Sequence, residues 1–120
     1  MKAFSDLEQS KKLAEILPIE SADMYYEEVC NLPKAIIGNY IFHNQCMEDR
    51  DYKKLSNPVL SPAWSLAALL EIIRNNGRYE LQMYEGGYYF EANGFMTESY
   101  FNLIDACYEM IIKLHELNLL

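Results

Sequence analysis

The chain has 120 residues, 51% of them hydrophobic and 23% charged, and its 18 acidic and 10 basic residues give a net charge of −8 at pH 7. This length supports one hydrophobic core, so we predict a single domain over residues 1–120, with an N-terminal helix and irregular segment over 1–61 and an αβββα core over 62–120. The acidic excess excludes general binding to nucleic-acid phosphates, because such affinity comes from clustered cations.

The cysteines and the hydrophobic pattern indicate a location in the cell. The three cysteines, Cys30, Cys46 and Cys107, are an odd number, which is typical of reduced thiols in a cytoplasmic protein. No apolar run approaches the ~20 residues that cross a bilayer, and no secretion signal is visible. We therefore predict a cytoplasmic protein that does not contact membranes.

The first element is a helix over about residues 6–17. Ser5 and Glu8 have the spacing of a capping box, in which Ser5 accepts from the Glu8 amide and the Glu8 carboxylate accepts from the Ser5 amide. Pro18 ends this helix, because the residue before a proline is pushed out of the helical region.

Residues 19–61 carry weaker signals. Ser21 is suited to capping a short helix that runs to about Cys30, whereas residues 24–26 equally suit a strand, and both interpretations stay open. Residues 35–43 are rich in β-branched and aromatic side chains, which predicts an extended segment. Residues 44–58 are charged in mixed order and are predicted to form a loop.

A second helix is predicted over residues 62–75. Ser61 is suited to the N-cap, and Pro62 to the first helical position, where its missing N–H costs nothing. Apolar residues cover nearly the whole circumference, which predicts burial on most sides, and Asn76-Gly77 ends the helix. Glu71 lies on this helix and is a candidate partly buried carboxylate near Trp64. The alternative is that it pairs with Arg74 or Arg78 or accepts from a backbone amide.

A three-stranded antiparallel meander is predicted over residues 78–101. Gly86-Gly87 and Asn93-Gly94 are two-residue hairpin loops, which would pair Met83 with Phe90 and Phe90 with Thr97. Alternation then separates two faces. The apolar face contains Tyr79, Leu81, Met83, Tyr88, Phe90, Ala92, Phe95 and Phe101. The polar face contains Glu80, Gln82, Tyr84, Tyr89, Glu91, Met96, Glu98 and Tyr100.

The last helix is predicted over residues 103–118. Asn102 is its N-cap, Asp105 places negative charge in its first turn, and His115 is expected in the core on an apolar side of the helix. The predicted fold is therefore α+β. It is a two-layer sandwich in which the meander packs on helices 62–75 and 103–118, with an extra N-terminal helix.

The order helix, meander, helix resembles a double-stranded-RNA-binding domain. Such domains present basic residues to phosphates at the start of the last helix. Asp105 occupies that position here and Glu109 follows it, so we expect no direct nucleic-acid binding.

Three stretches carry a resemblance: PIESADMYY at residues 18–26, PAWSLAALL at 62–70 and IDACYEMIIKLHEL at 104–117. They look like small uncharacterised proteins encoded on bacterial prophages and mobile elements, a group whose resemblance implies no activity. A fainter likeness covers residues 79–116, where strand, Gly-Gly, strand and a late helix are similar to HicB-type antitoxins.

Side chains suited to catalysis or metal binding are sparse. His43-x-x-Cys46 has a spacing seen in zinc ligands, but a closed site needs four ligands. Only Cys30, Cys107 and His115 remain as candidates, and the last two are expected in helix packing. Cys107 on an apolar helix side is expected to act as a small hydrophobe. Neither glycine pair precedes a helix, as a phosphate-binding loop would. We predict no catalytic residues, no cofactor and no metal.

The candidate interaction surface is the part of the polar sheet face with Tyr84, Tyr89, Met96 and Tyr100, since tyrosine and methionine are enriched in protein interfaces. The alternative is that Tyr25, Tyr26 or residues 36–42 cover this face. The predicted function is a non-enzymatic interaction or accessory factor that binds a protein partner or itself. A second hypothesis is an acidic, antitoxin-like or nucleic-acid-mimicking regulator of a basic partner.

Overall fold

The computed structural model describes residues 2–38, 59–92 and 95–120. These residues confirm the α+β class and form two compact units, one within residues 6–65 and one that combines the residues up to Ser5 with 66–120. We call them the N-terminal unit and the C-terminal unit. Their elements are α1 (Leu7–Ile16), a 3-10 turn (Ile19–Ser21), β1 (Met24–Val29), β2 (Leu32–Ile37), β3 (Val59–Ala63), α2 (Leu66–Asn75), β4 (Glu80–Tyr84), β5 (Gly87–Ala92), β6 (Phe95–Met96) and α3 (Leu103–Glu116).

The helix α1 confirms the predicted N-terminal helix, but its cap is one residue later than expected. Asp6 Oδ1 accepts from the Gln9 amide at 2.8 Å, and Gln9 Oε1 accepts from the Asp6 amide at 3.1 Å. Ser5 is instead fully buried, so its prediction as the cap was wrong. A carboxylate at the N-cap also places charge at the positive end of the helix dipole, which favours Asp6.

The N-terminal sheet is antiparallel with strand order β2-β1-β3. Its central strand β1 decides between the two interpretations of residues 24–26, which lie in a strand and not in a helix. Cys30 and Asn31 connect β1 to β2 with φ values of 53° and 64°, as a two-residue hairpin turn with two positive φ angles requires. The first half of β1 carries the buried side chains Met24, Tyr25 and Tyr26.

The strand β3 corrects the predicted start of the second helix. Ser61 and Pro62 lie inside β3, where Pro62 is opposite Tyr25, and α2 begins only at Leu66. Proline donates no backbone hydrogen bond and is therefore confined to edge strands. Pro62 in β3 and Pro33 in β2 both satisfy this rule, since β1 is the central strand among the described strands of this sheet.

The predicted extended segment 35–43 and loop 44–58 are described only in part. The strand β2 includes residues 35–37 and ends at Ile37. The remainder of the predicted extended segment from 39 onward, and the whole predicted loop, lie outside the described residues.

The meander of the C-terminal unit is confirmed as β4-β5-β6, with a different first turn. Its turn residues are Glu85-Gly86, with φ values of 51° and 78°, and not Gly86-Gly87. Met83 therefore lies opposite Tyr88 and not opposite Phe90. Because side chains alternate with a period of two, this two-residue shift leaves every residue of β4 and β5 on its predicted face.

The second hairpin keeps its predicted register. Ala92 lies opposite Phe95, and the Thr97 amide donates to the Phe90 carbonyl at 2.9 Å. The Asn93-Gly94 loop itself lies outside the described residues.

The core of the C-terminal unit lies around α3, which packs against both α2 and β5. Of the residues predicted on the apolar sheet face, Phe90 is 2% exposed, whereas Met83 and Phe101 are 75% and 87% exposed. The helices therefore bury Phe90 and leave Met83 of the same face exposed. The buried apolar side chains are Leu69, Ile72, Ile73, Phe90, Ile104, Ala106, Cys107, Met110, Ile111 and Leu114.

The N-terminus of α3 is capped as predicted. Asn102 Oδ1 accepts from the Ile104 amide at 2.8 Å. In the first turn, Asp105 forms an ion pair with Lys2, in which Asp105 Oδ1 accepts a 2.6 Å hydrogen bond from Lys2 Nζ. At the other end, His115 is exposed, so its expected place in the core was wrong. The buried positions of α3 end with Leu114 on the adjacent side of the helix.

Candidate functional site

Three of the four residues of the candidate interaction surface share one face of the meander. The strand register places Tyr89 opposite Gln82, Met96 opposite Glu91, and Glu91 opposite Glu80. Residues opposite each other on neighbouring strands have side chains on the same side. We call this surface the tyrosine face. Its members are Glu80, Gln82, Tyr84, Tyr89, Glu91 and Met96.

The tyrosine face exposes large side chains. Tyr84 is 68% exposed and Met96 is 62% exposed, while Tyr89 is half-buried between them on the central strand. The two tyrosines offer a large contact area and lose little conformational freedom on binding. Met96 offers a flexible thioether that adapts to the shape of a partner. Such side chains on a sheet surface are suited to contact with another protein.

Tyr100 does not belong to the tyrosine face. Its amide and carbonyl exchange hydrogen bonds of 2.9 and 2.7 Å with Tyr88, which places it on the side of Tyr88 and opposite to Tyr89. The Thr97 amide donates to the Phe90 carbonyl, and Tyr100 bonds to Tyr88. The last segment therefore advances three residues, from 97 to 100, while β5 is followed over only two, from 90 to 88. This extra residue is a bulge, which reverses the predicted alternation.

Tyr100 instead lies beside acidic residues of α3. It lines a groove of about 330 Å³ together with Glu98, Glu109, Lys113 and Glu116. Burial raises the pKa of Tyr100, and the negative charges of Glu109, Glu98 and Asp105 raise it further. Burial also raises the pKa of Glu109, with smaller contributions from Glu116, Glu98 and Asp105. The carboxylates of Glu98, Glu109 and Glu116 therefore lie close enough in this groove to repel one another.

The charge of the tyrosine face is negative. Glu80 and Glu91 lie directly opposite each other, and like charges in that arrangement repel. Gln82 Nε2 donates to Glu80 Oε2 at 3.0 Å and partly offsets this repulsion. None of the six side chains that define the face is basic, so a cation can approach it favourably.

Glu71 is exposed on α2, which corrects the expectation of a partly buried carboxylate. The alternative pairing with Arg74 or Arg78 is also absent, because the described residues contain no ion pair of these groups within 4.0 Å. The helix buries Leu69, Ile72 and Ile73 and leaves Glu71 on its opposite side.

The buried cysteine Cys107 is not suited to nucleophilic chemistry. Cys107 is fully buried, and burial raises the pKa of its thiol to about 12, so it is neutral near pH 7. Cys30 is exposed in the β1–β2 turn. His43 and Cys46 lie outside the described residues. Within the described ranges, no group of three or more His, Cys, Asp or Glu side chains could hold a metal ion.

Sequence reasoning missed a cleft that the described residues of the C-terminal unit form. It has a volume of about 760 Å³ and lies between the C-terminal half of α2 and the strands β4 and β5. Its apolar lining includes Leu70, Ile73, Leu81 and Phe90. Arg74, Arg78, Glu80 and Glu91 supply its charges. The sequence signal is the pair of arginines on either side of the helix stop, whose predicted partner is Glu71.

A second feature that sequence reasoning missed is a set of hydrogen bonds in the N-terminal unit between residues of the stretches 18–26 and 62–70. Trp64 is fully buried, and its Nε1 donates to Ser21 Oγ at 2.9 Å. The next residue, Ser65, donates its amide to Asp23 Oδ1 at 2.8 Å and its hydroxyl to Asp23 Oδ2. These polar residues therefore hold the segment around Trp64, which gives them a structural role.

Comparison with protein-family models, with curated proteins and with solved structures found no match for the chain. Within residues 2–38, 59–92 and 95–120, no helix has the length and hydrophobicity that crossing a membrane requires.

Proposed function

We propose that this chain is a non-enzymatic accessory factor that binds a protein partner through the tyrosine face. The observation that supports it best is the exposure of Tyr84 and Met96, at 68% and 62%, on the same face as Tyr89. A cytoplasmic location and an origin on a prophage or other mobile element belong to the same proposal.

The chemistry of the face defines the partner that it suits. Aromatic and thioether side chains favour a partner with an apolar contact area, because tyrosine is enriched among the residues that contribute most binding energy and methionine is enriched in interfaces. The opposed carboxylates of Glu80 and Glu91 favour basic residues at the rim of that contact. We therefore propose a protein surface that carries an apolar centre and a lysine or arginine beside it.

The test is affinity capture from a bacterial lysate with three forms of the full chain. The wild type is compared with Tyr84→Ser/Met96→Ser, which removes the exposed side chains of the tyrosine face. The matched control is Leu32→Ser/Ile37→Ser, because these residues are 68% and 86% exposed on the other sheet. We expect one protein to be retained by the wild type and by the control and lost by the Tyr84/Met96 variant.

The captured protein is then purified and its affinity for each form measured by calorimetry. A partner that binds the Tyr84/Met96 variant as tightly as the wild type contradicts the proposal, as does a partner lost only by the Leu32/Ile37 control. Light scattering on the chain alone distinguishes self-association: a dimer that the Tyr84/Met96 substitutions dissociate would identify the partner as a second copy.

A second candidate function is an acidic regulator that neutralises a basic partner. The cross-strand pair of Glu80 and Glu91, together with the net charge of −8, favours it. In this case charge and not apolar contact provides most of the affinity. Since exposed charges are screened beyond ~10 Å at 0.1 M salt and ~3 Å at 1 M, the complex should weaken steeply with salt.

Salt dependence separates the two candidates. The affinity of the captured partner is measured between low salt and about 0.5 M sodium chloride for the wild type and for Glu80→Gln/Glu91→Gln. The regulator hypothesis expects a large loss with salt in the wild type and a weak loss in the variant. An affinity that stays nearly constant with salt and depends on Tyr84 and Met96 instead supports the accessory factor.

A further inference from the structure

The cleft between α2 and the strands β4 and β5 combines an apolar floor with charged residues. The floor includes Ile73 and Phe90, which are 3% and 2% exposed, and Leu81, which is 39% exposed. Its volume of about 760 Å³ lies within the range of small-molecule sites, ~300 to ~1,000 Å³. The cleft arises because the sheet packs mainly on α3 through β5, which leaves space beside α2.

One end of the cleft is held by close packing. Gly77 has a φ of +148°, and a Cβ at this position would lie 2.7 to 2.8 Å from the Tyr79 ring and hydroxyl. Tyr79 Oη in turn donates to the Asn76 carbonyl at 3.0 Å, and its ring packs on Phe95 with centroids 6.1 Å apart. The wall is therefore fixed before any ligand binds, which lowers the entropic cost of binding.

Two arginines in this cleft lack partners among the described residues. Arg74 and Arg78 both line it, yet neither forms an ion pair or a side-chain hydrogen bond with a described residue. Each guanidinium presents five N–H donors in a planar arrangement that matches a carboxylate or a similar anion. Glu80 and Glu91 also line the cleft, but neither carboxylate forms an ion pair within 4.0 Å with Arg74 or Arg78.

The acidic residues of the cleft are differently placed. Glu80 already accepts from Gln82, and Glu91 lies opposite Glu80 on the neighbouring strand. Strand alternation also places the side chains of Glu80 and Glu91 on the side of the sheet opposite to the floor residues Leu81 and Phe90. A ligand above this floor therefore lies on the side away from these carboxylates, whereas two guanidinium groups with unused donors line the cleft. The donors that remain unused favour the anion.

We propose that this cleft binds a small organic anion, with an aromatic or branched apolar body on Ile73, Leu81 and Phe90 and its acidic group on Arg74 and Arg78. This site shares Glu80 and Glu91 with the tyrosine face but includes none of Tyr84, Tyr89 and Met96, whose exposure carries the proposed protein interaction. It therefore goes beyond the proposed protein interaction and does not depend on it.

The probe is 8-anilinonaphthalene-1-sulfonate, an aromatic anion whose fluorescence rises in apolar surroundings, titrated into the folded full chain. N-phenyl-1-naphthylamine, which has the same kind of body without the sulfonate, is the neutral counterpart. The variants are Arg74→Gln/Arg78→Gln and Glu91→Gln. Lys34→Gln, at an exposed position of β2, is the matched control for a lost surface cation. Tyr84→Ser/Met96→Ser tests whether the dye binds the tyrosine face instead.

We expect one sulfonate probe per chain, bound about tenfold more weakly by Arg74→Gln/Arg78→Gln and two- to threefold more tightly by Glu91→Gln. The neutral dye should bind every variant as tightly as it binds the wild type. The Lys34 control and the Tyr84/Met96 variant should bind the sulfonate probe as tightly as the wild type does. Arg74→Lys/Arg78→Lys should recover part of the loss, because charge remains while the planar donor arrangement is removed.

The proposal is overturned if the folded wild type binds no probe, if the double arginine variant binds the sulfonate as tightly as the wild type, or if Lys34→Gln weakens binding equally. It is also overturned if the Tyr84/Met96 variant alone loses the probe. Thermal unfolding of each variant accompanies the titrations, so that affinities are compared only between folded chains.

Discussion

The two sheets of this protein have the same number of strands and the same antiparallel pairing, but they are assembled from the sequence differently. The C-terminal sheet is a meander of consecutive strands between Glu80 and Met96. The N-terminal sheet takes its third strand, Val59–Ala63, from beyond the hairpin that ends at Ile37. Local signals were sufficient to predict the meander, while the strand from distant sequence was mistaken for the start of a helix.

The sheets also differ in where their stabilising contacts lie. In the N-terminal sheet, Met24, Tyr25 and Tyr26 are buried in succession, and the segment that follows β3 carries the fully buried Trp64. In the C-terminal sheet, Phe90 is the buried large side chain of β5. The buried side chains of the N-terminal sheet therefore lie on β1 and β3, while its strand β2 is largely exposed, and the C-terminal sheet buries chiefly Phe90.

The largest effect is expected from removing the buried aromatic residue associated with each sheet. Trp64→Ala and Phe90→Ala should each lower the free energy of unfolding by about 3 to 5 kcal/mol, and Trp64→Ala by more because it also removes the bond to Ser21. Urea denaturation followed by far-UV circular dichroism measures both. Phe101→Ala, at a residue 87% exposed, is the control and should change stability by less than about 0.5 kcal/mol.

Hydrogen exchange on the same variants tests the single-domain prediction for residues 1–120. If exchange accelerates only in the unit that carries the substitution, the two units unfold independently and that prediction fails. Equal acceleration in both units supports it, since one cooperative transition then includes the whole chain.

A smaller effect is expected at Gly77. Gly77→Ala places a methyl group against the Tyr79 ring and forces alanine to a φ of +148°, so we expect a loss of about 1 to 3 kcal/mol. Gly86→Ala is the matched control: its φ is +78° but no atom lies within 4 Å of an added Cβ. Equal losses in the two variants would show that packing on Tyr79 contributes nothing.

The helix caps of the two units should contribute similar and smaller amounts. Asp6→Ala removes the capping box of α1, and Asn102→Ala removes the cap of α3, each at an expected cost of about 1 kcal/mol. Thermal unfolding of the full chain gives the change. Asp6→Ser and Asn102→Ser should recover most of it, because serine also accepts from an orphan amide; a serine variant as unstable as the alanine variant argues against capping.

The smallest effect is a dependence on pH at Glu109. Because its pKa is raised by burial and by neighbouring carboxylates, its contribution to stability is full below the ordinary glutamate pKa of about 4.3 and is lost as the pH rises through the raised value. Glu109→Gln should therefore raise the Tm at pH 7 and have no effect below about pH 4. Glu71→Gln, exposed on α2, is the control. A lower Tm for Glu109→Gln at pH 7 contradicts this prediction.

Particular residues show how far the sequence could predict the fold. Asn102 was identified as a cap because capping is local and needs only a side-chain oxygen near the next turn. Ser61 and Pro62 have an equally good local pattern, but that pattern suits an edge strand as well as a helix start. The choice depended on β1, whose pairing with β3 no local pattern indicates.

The candidate site shows the same limit. Tyr84, Tyr89 and Met96 were placed correctly on one face because alternation is insensitive to a shift of two residues. Tyr100 was placed wrongly because one extra residue before it reverses alternation, and nothing in residues 97–99 marks a bulge. Arg74 and Arg78 were assigned to Glu71, although helical spacing alone does not determine which way long side chains extend.

The sequence by itself determined the helices α1 and α3, the meander and the side of the sheet that carries Tyr84, Tyr89 and Met96, because each depends on neighbours a few residues apart. Tertiary structure alone decided the pairing of β3 with β1, the position of Tyr100 and the cleft beside α2. These depend on how distant segments share a limited buried volume, a competition that no short stretch of sequence records.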